Sequence, residues 1–333
     1  NDPKNGSTLI RVVDLLLVGP PLPDLQTVQL SGGDDGLVGL DDNDFVGTKV
    51  GKTGLYALDT VLDLSVLCVP GRATPVMHNA MVQYCEVERD GLVFPVLDPP
   101  EGMSHDEVID YFKNVSGLQN LTECGAFQWC WPEVGNPSKA VFGDDTNVAV
   151  PPSGLVCGVY ARNDGAKPGG VYTPPGGVEN GRLFGVVGLE TEEVLDETVR
   201  NKIYPERINP ISKEAGTPFF IDGTRTLKGD GQFPYIHQKR GIIFIRRSLK
   251  DGLIFARHRT NNERLQREVF RTIRSFLRIQ KENEGIVAFR IEISNDTSRL
   301  LRGQVMVRMP EATDWVVIGV SQDPDLLGEE LAA

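Results

Sequence analysis

The chain has 333 residues, enough for about two domains and a substantial core, and carries 34 Lys/Arg against 46 Asp/Glu, a net charge of −12. An acidic total of this size argues against a general nucleic-acid binder, and the composition is that of an ordinary globular protein, somewhat rich in Gly and Pro. Five cysteines (68, 85, 124, 130, 157) have no framework spacing and read as reduced thiols; no CxxC accompanies Cys124 and Cys130, so no metal or other cofactor is expected. The longest purely apolar run, Leu15–Val18, is far shorter than a membrane span, and no membrane partner is expected.

Residues 1–30 read as the end of an N-terminal region, because the chain opens on Asn rather than Met. An apolar segment, Leu9–Val18, and a Pro-rich turn lead to a short strand at Thr27–Leu30. The Gly/Asp-rich stretch SGGDDGLVGLDDNDFVG that follows lacks the order of a calcium loop and reads as solvated. Gly47–Thr53 (GTKVGKT) approaches a phosphate-binding loop. The first glycine of that motif falls on Val46, however, and no apolar strand leads in, so the backbone amides are not expected to cradle a phosphate.

From Tyr56 onward apolar runs alternate with helical patterns. Helices are predicted over Gly54–Leu62, Thr74–Glu88 and Ser104–Asn114, with strands at Ser65–Pro70 and Gly91–Leu97. That alternation predicts an α/β layer of largely parallel strands. Gln128–Pro132 reads as a strand end, SGLVCGVYARND as a helix or strand of small residues, and Phe184–Val187 as a strand after a Gly/Pro-rich loop.

The strongest periodic signal lies at Asn261–Lys281. Leu265, Val269, Ile273, Phe276 and Leu277 recur on one helical face, with Asn261 or Asn262 as N-cap and Gly285 closing the segment. Arg264, Arg267, Arg271, Arg274 and Arg278 fall within roughly 80° of arc on the opposite face. From Arg225 to Lys281 there are 15 Lys/Arg against 4 Asp/Glu, a basic block in an acidic chain. Such asymmetry predicts a surface built to meet a charged partner. Beyond the helix, Ile286–Ile293 and Gln304–Met309 alternate as two strands around a polar Ser294–Gly303 turn, and Trp315–Val320 is a further β-rich run.

Three readings of this pattern compete: a solvated helix face, a nucleic-acid-binding segment at 225–281, and a protein-binding face. No aromatics are interleaved with the arginines for base stacking, and the acidic remainder would repel DNA. A hydrolase needs a histidine poised between an acid and a nucleophile. His78 and His105 fall in predicted helices, His237 in a turn and His258 between arginines, so no enzyme is expected.

The ordered set SGGDDG (31–36), VLCVPG (66–71), Asp98–Pro99, PPSGLVCGVYARND (151–164), VYTPPGG (171–177), ERINPI (206–211) and DGTRTL (222–227), with the basic helix and hairpin behind it, resembles the tail sheath protein of contractile phage tails and related injection particles. The resemblance runs from about residue 27 to 322. It implies a subtilisin-like three-layer α/β core without a catalytic triad over 31–224 and a smaller α+β C-terminal domain over 225–333. It further implies a structural subunit that stacks in hexameric rings around an inner tube and contracts to drive that tube through an envelope. The implied partners are other copies of the chain, an acidic inner tail tube, baseplate and tail terminator proteins, with no small-molecule substrate. The implied place is the tail of a virion, and the host cytoplasm during assembly. On this reading Arg264, Arg267, Arg271, Arg274 and Arg278 contact the tube, and Val305, Val307, Trp315, Val316, Val317 and Ile318 pair as strands between subunits.

Overall fold

The computed structural model describes residues 36, 39–137, 146–166, 168–191, 197–297 and 300–312. The chain forms two compact units, Asn1–Leu40 and Asp41–Ala333. In the first, Gly36 and Gly39 take positive φ, which glycine tolerates without strain. The expected segments at Leu9–Val18, Thr27–Leu30 and Trp315–Val320 lie outside the described residues. All that follows concerns the second unit.

It opens with a short helix, α1 (Asp42–Val46), inside the stretch expected to be a loop. Its acids are used locally: Asp41 caps the Asn43 and Asp44 amides, and the Asp44 carboxylate returns to the Asp41 amide. Gly47–Thr53 closes on itself, with the Thr48 amide donating to Thr53 Oγ1 and the Gly51 amide to Thr48 Oγ1. These amides are spent on the turn. A 3-10 turn at Gly54–Thr60 replaces the predicted first helix.

β1 (Val66–Leu67), α2 (Pro75–Gln83), β2 (Phe94–Leu97), α3 (His105–Asp110) and β3 (Ala126–Trp129) then follow as two parallel βαβ steps in sequence order. Both helices end in π-turns, Tyr84–Glu88 and Tyr111–Val115, which together fill the predicted helical spans. Ser104 caps α3 in a capping box with Glu107, as its sequence indicated. β4 (Pro132–Gly135), β5 (Asn147–Ala149) and β6 (Val186–Leu189) make a separate antiparallel sheet in the order β5-β4-β6. Between β5 and β6 lie α4 (Pro152–Asp164) and α5 (Gly177–Asn180), so the small-residue run is a helix.

After α6 (Glu197–Ile203) come β7 (Ile208–Ser212) and β8 (Phe220–Ile221), which complete a five-stranded sheet in the order β1-β2-β3-β7-β8. Four strands are parallel, and β8 runs antiparallel to β7. All four residues of β2 are buried, as a strand covered on both faces requires. Val93, Leu97, Phe127, Trp129 and Ile208 point into a core shared with α2 and α3, while Phe94, Val96, Ala126 and Ile211 point into one shared with α4 and α7 (Ile236–Gly252). The molecule is thus mixed α/β with helices on both faces of its main sheet.

Two of the sequence motifs form one knot here. Asn209, fully buried in β7, donates to the Phe127 and Arg225 carbonyls and accepts from the Arg225 amide at 2.7 Å. Arg225 lies over the Tyr204 ring at 4.0 Å, and Arg207 donates to the Thr226 and Pro234 carbonyls. The ERINPI and DGTRTL segments are therefore tied together by side chains filling backbone valences, which would otherwise be costly in a dry interior.

The C-terminal part is a third core, in which α8 (Glu263–Glu282) lies on the hairpin β9 (Ala288–Thr297) and β10 (Leu300–Arg308). Tyr172, from the Gly/Pro-rich loop, reaches into it. Its ring stands where a Cβ on Gly241 of α7 or on Gly285 would have to go, and its hydroxyl meets Gln280 at 3.3 Å. Gly285 therefore serves ring packing; the helix itself ends at Glu282 with Asn283 as C-cap.

Candidate functional site: an outward arginine face

Helix α8 is held by one face and shows the other. Asn262 caps it through the Leu265 amide at 3.0 Å. Leu265, Val269, Ile273 and Leu277 are all at most 5 % exposed, and Phe276 is half-buried beside them. Arg264, Arg267, Arg271, Arg274 and Arg278 are all exposed. Arg267 pairs with Glu263 at 3.5 Å and Arg278 with Glu282 at 3.0 Å, both one turn away on the same helix. Exposed pairs of this kind are worth about 0.3–0.5 kcal/mol and are easily exchanged. Among the described residues Arg264, Arg271 and Arg274 have no ion-pair or hydrogen-bond partner. Carboxylate partners on the helix itself therefore account for two of the five arginines.

Three other cations of the basic block behave differently. Arg240 is 5 % exposed, donates to Asp164 at 2.6 Å and lies 4.6 Å over the Tyr160 ring. Arg247 donates to the carbonyls of Asp63, Leu64 and Leu92, and Lys239 faces Glu123. Sequence charge alone cannot separate these inward cations, which fasten α7 to the main sheet, from the outward row on α8.

The hairpin pairs Val305 with Ile291 and Val307 with Phe289, and all four pack towards α8. Val287 is half-exposed, because Ile286 takes the buried place at the entry to β9. The ladder runs on to Thr297, since backbone pairing continues through the polar residues expected to form the turn. Val305 and Val307 are thus paired within the chain on one strand edge. Trp315, Val316, Val317 and Ile318 lie outside the described residues.

Sequence reasoning did not foresee a buried polar cluster at the carboxyl end of β1 and β2. The Asp98 carboxylate accepts from the Ser153 amide at 2.7 Å, from the Ser153 hydroxyl at 2.6 Å and from the Gly71 amide. Burial pushes its pKa up to about 6 despite these donors. The signal was present in the Asp-Pro pair and in the serine at the first turn of α4. An acid beside a serine invites a hydrolase comparison, but the nearest structural counterpart of a base, His78, packs edge-on against Tyr111 and Phe127 in the opposite core. Burial holds His78 down at about 4. His237 lies in the first turn of α7, not in a free turn, and its Nε2 contacts the Pro310 carbonyl at 3.2 Å. The arrangement is a fastening point, with Ser153 as donor to the acid. Among the described residues no group of His, Cys, Asp or Glu could hold a metal, and no helix is long and apolar enough to cross a membrane.

The sequence matches no protein-family model and no curated protein. The structure is similar to a chain of the contracted PVC sheath complex, an extracellular contractile injection system, with a TM-score of 0.65 at 20 % identity over 82 % of this chain and 75 % of that one. It is similar to a chain of the anti-feeding prophage helical sheath in its contracted state (TM-score 0.62, 18 % identity, 83 % and 76 % covered). A chain of the anti-feeding prophage baseplate gives a TM-score of 0.62 at 19 % identity, with 80 % and 70 % covered. The chain has the fold of the sheath proteins of contractile injection systems.

Proposed function

We propose that this chain is a structural subunit of a contractile sheath, polymerising with copies of itself around an inner tube. The observation that carries the reading is the likeness of fold, over about four-fifths of the chain, to chains of sheath assemblies in the contracted state. The proposal extends to stacked hexameric rings, to an end-on baseplate and tail terminator, and to a role in the tail of a particle assembled in a host cytoplasm. It keeps the division into a subtilisin-like core at 31–224 and a C-terminal domain at 225–333. In this role the chain needs no catalysis.

Within that reading, the arginine row of α8 faces an acidic surface on the tube. Each exposed pair contributes only about 0–1 kcal/mol, and salt screens it over about 8 Å. Contacts this weak can release together on contraction, while many copies hold the extended array by summation. Val305 and Val307, with Trp315, Val316, Val317 and Ile318, would provide the strand edge through which neighbouring subunits add to one another's hairpins, a link independent of side-chain charge.

The test is a triple charge reversal, Arg264→Glu, Arg271→Glu and Arg274→Glu. The variant should keep its thermal midpoint within a few degrees, because these side chains touch nothing in the fold, and should fail to decorate tubes in electron micrographs. Normal decoration would sink the tube assignment. The same unpaired row also favours a second reading, a duplex nucleic acid. Tight, salt-sensitive retention of duplex DNA by the wild-type chain, lost in the variant, would favour it instead.

A further inference from the structure

Two of the five thiols stand apart from the rest. Cys85, Cys124 and Cys130 are at most 3 % exposed. Burial pushes the first well above the usual thiol range and the second to about 12. Cys68 and Cys157 are half-buried instead, and both pack at the edge of the core between the main sheet and α4. Cys68 sits directly after β1, and Cys157 sits one helical turn beyond Ser153 on the same side of α4.

The Asp98 cluster explains why they meet. Asp98 binds the Gly71 amide on one side and both the amide and hydroxyl of Ser153 on the other. The turn at Gly71 is drawn against the start of α4, where the Cβ position of Gly71 would stand 3.7 Å from Pro151 Cγ. That fastening holds the Cys68 segment over the first turns of the helix, where both thiols pack against the same core and interact. The Cys157 thiol beside it lowers the Cys68 thiol to about 7, while Cys157 is correspondingly raised. The opposing charges facing the pair are Asp98, which disfavours the thiolate, and Arg240, which favours it at Cys157.

We propose that Cys68 and Cys157 are a dithiol site that a small-molecule disulfide oxidises to an intramolecular bridge, joining the turn after β1 to α4. Cys68 is the attacking thiolate. It displaces one thiolate from the small disulfide and forms a mixed disulfide. Cys157 then loses its proton to solvent and attacks Cys68 Sγ, releasing the second small thiol. Two protein thiols are oxidised and one small disulfide is reduced to two thiols, so electrons and protons balance. The site is reversible by excess dithiol, and it is independent of any role in a sheath. Its two ends lie far apart in sequence, so the bridge closes a long loop and stabilises the fold chiefly by restricting the unfolded chain.

The experiment uses the full chain with oxidised glutathione in excess, and peptide mapping without reduction. The expected result is loss of two of the five thiols titrated after denaturation, a single Cys68–Cys157 linked peptide, and a thermal midpoint several degrees higher that returns on reduction. Cys157→Ser should stop at a stable glutathione adduct on Cys68, and Cys68→Ser should form neither the adduct nor the bridge. Five free thiols after oxidation, a bridge between any other cysteines, or the same loss of two thiols in Cys68→Ser would each overturn the proposal. The wild-type map alone decides the matter if a variant does not fold.

Discussion

Single side chains in this molecule mostly serve to satisfy backbone groups, and the titrating ones set its pH behaviour. His78 and His237 are each 1 % exposed, and burial depresses both to about 4 from an ordinary 6.5. A depressed histidine binds its proton more readily in the unfolded chain. Its contribution is therefore fully present above pH 6.5 and is lost as pH falls towards 4, by about 3 kcal/mol for each group at the scale of 1.4 kcal/mol per unit. Asp98 acts in the opposite sense. Raised to about 6, it favours the folded chain as pH falls from 6 towards 4, offsetting one histidine of the two. Stability should therefore drop between pH 6.5 and 4, with urea midpoints as the measurement. His78→Phe, which keeps a ring against Tyr111 and Phe127, should change stability by less than about 1 kcal/mol at pH 7.5 and flatten the acid slope. An unchanged slope would show that His78 is not the titrating group.

Among the elements, α8 was the most legible in sequence and the strands were the least. Its apolar period of 3.6 and its asparagine cap survive any tertiary context, so both the span and the two faces could be read directly. β7 gave no such signal. Asn209, Pro210 and Ser212 make it look like a loop, and only the knot around Asn209 makes those residues acceptable in a strand between two others. The helix α4 was ambiguous because its exposed face carries Gly154, Gly158 and Ala161 while its buried stripe includes Ser153 and Asn163, which flattens the amphipathic period. The α7 segment read as merely basic, since nothing in a sequence distinguishes Arg240, paired inside, from Arg271, pointing out. The α8 faces make a direct comparison. Ile273→Ala, 2 % exposed and against the hairpin, should cost about 2–5 kcal/mol in chemical denaturation. Arg271→Ala on the same helix should stay within about 0.5 kcal/mol. Similar losses for both would mean that the arginine face is packed.

On the scale of the whole chain, two of the three cores are joined through α7, which supplies Ile236 and Ile243 to the sheet and Ile245 to the hairpin side. The alternation of strands and helices was enough to foresee the α/β layer. The fastening of the C-terminal part was not, because Tyr172, Gly241 and Gly285 are far apart in sequence and meet only when folded. The chain past β10 is fastened as well: His237 and the Gln238 side chain, at 3.0 Å, both hold the Pro310 carbonyl, and Met309 is buried. Truncation after Ala312 removes nothing from these contacts, so the product should be a folded monomer by light scattering and thermal melting. In the proposed sheath it should assemble without cohesion between rings; cohesive tubes from the truncated chain would rule out a strand-exchange role for the tail. The Pro310 fastening also determines where mechanical force goes. A pull applied beyond Ala312 reaches Pro310 first and is delivered to the first turn of α7, and through that helix to the main sheet. The hairpin is thereby relieved of part of that load, and in the proposed sheath tension on the tail would be shared with α7 and the sheet it packs on.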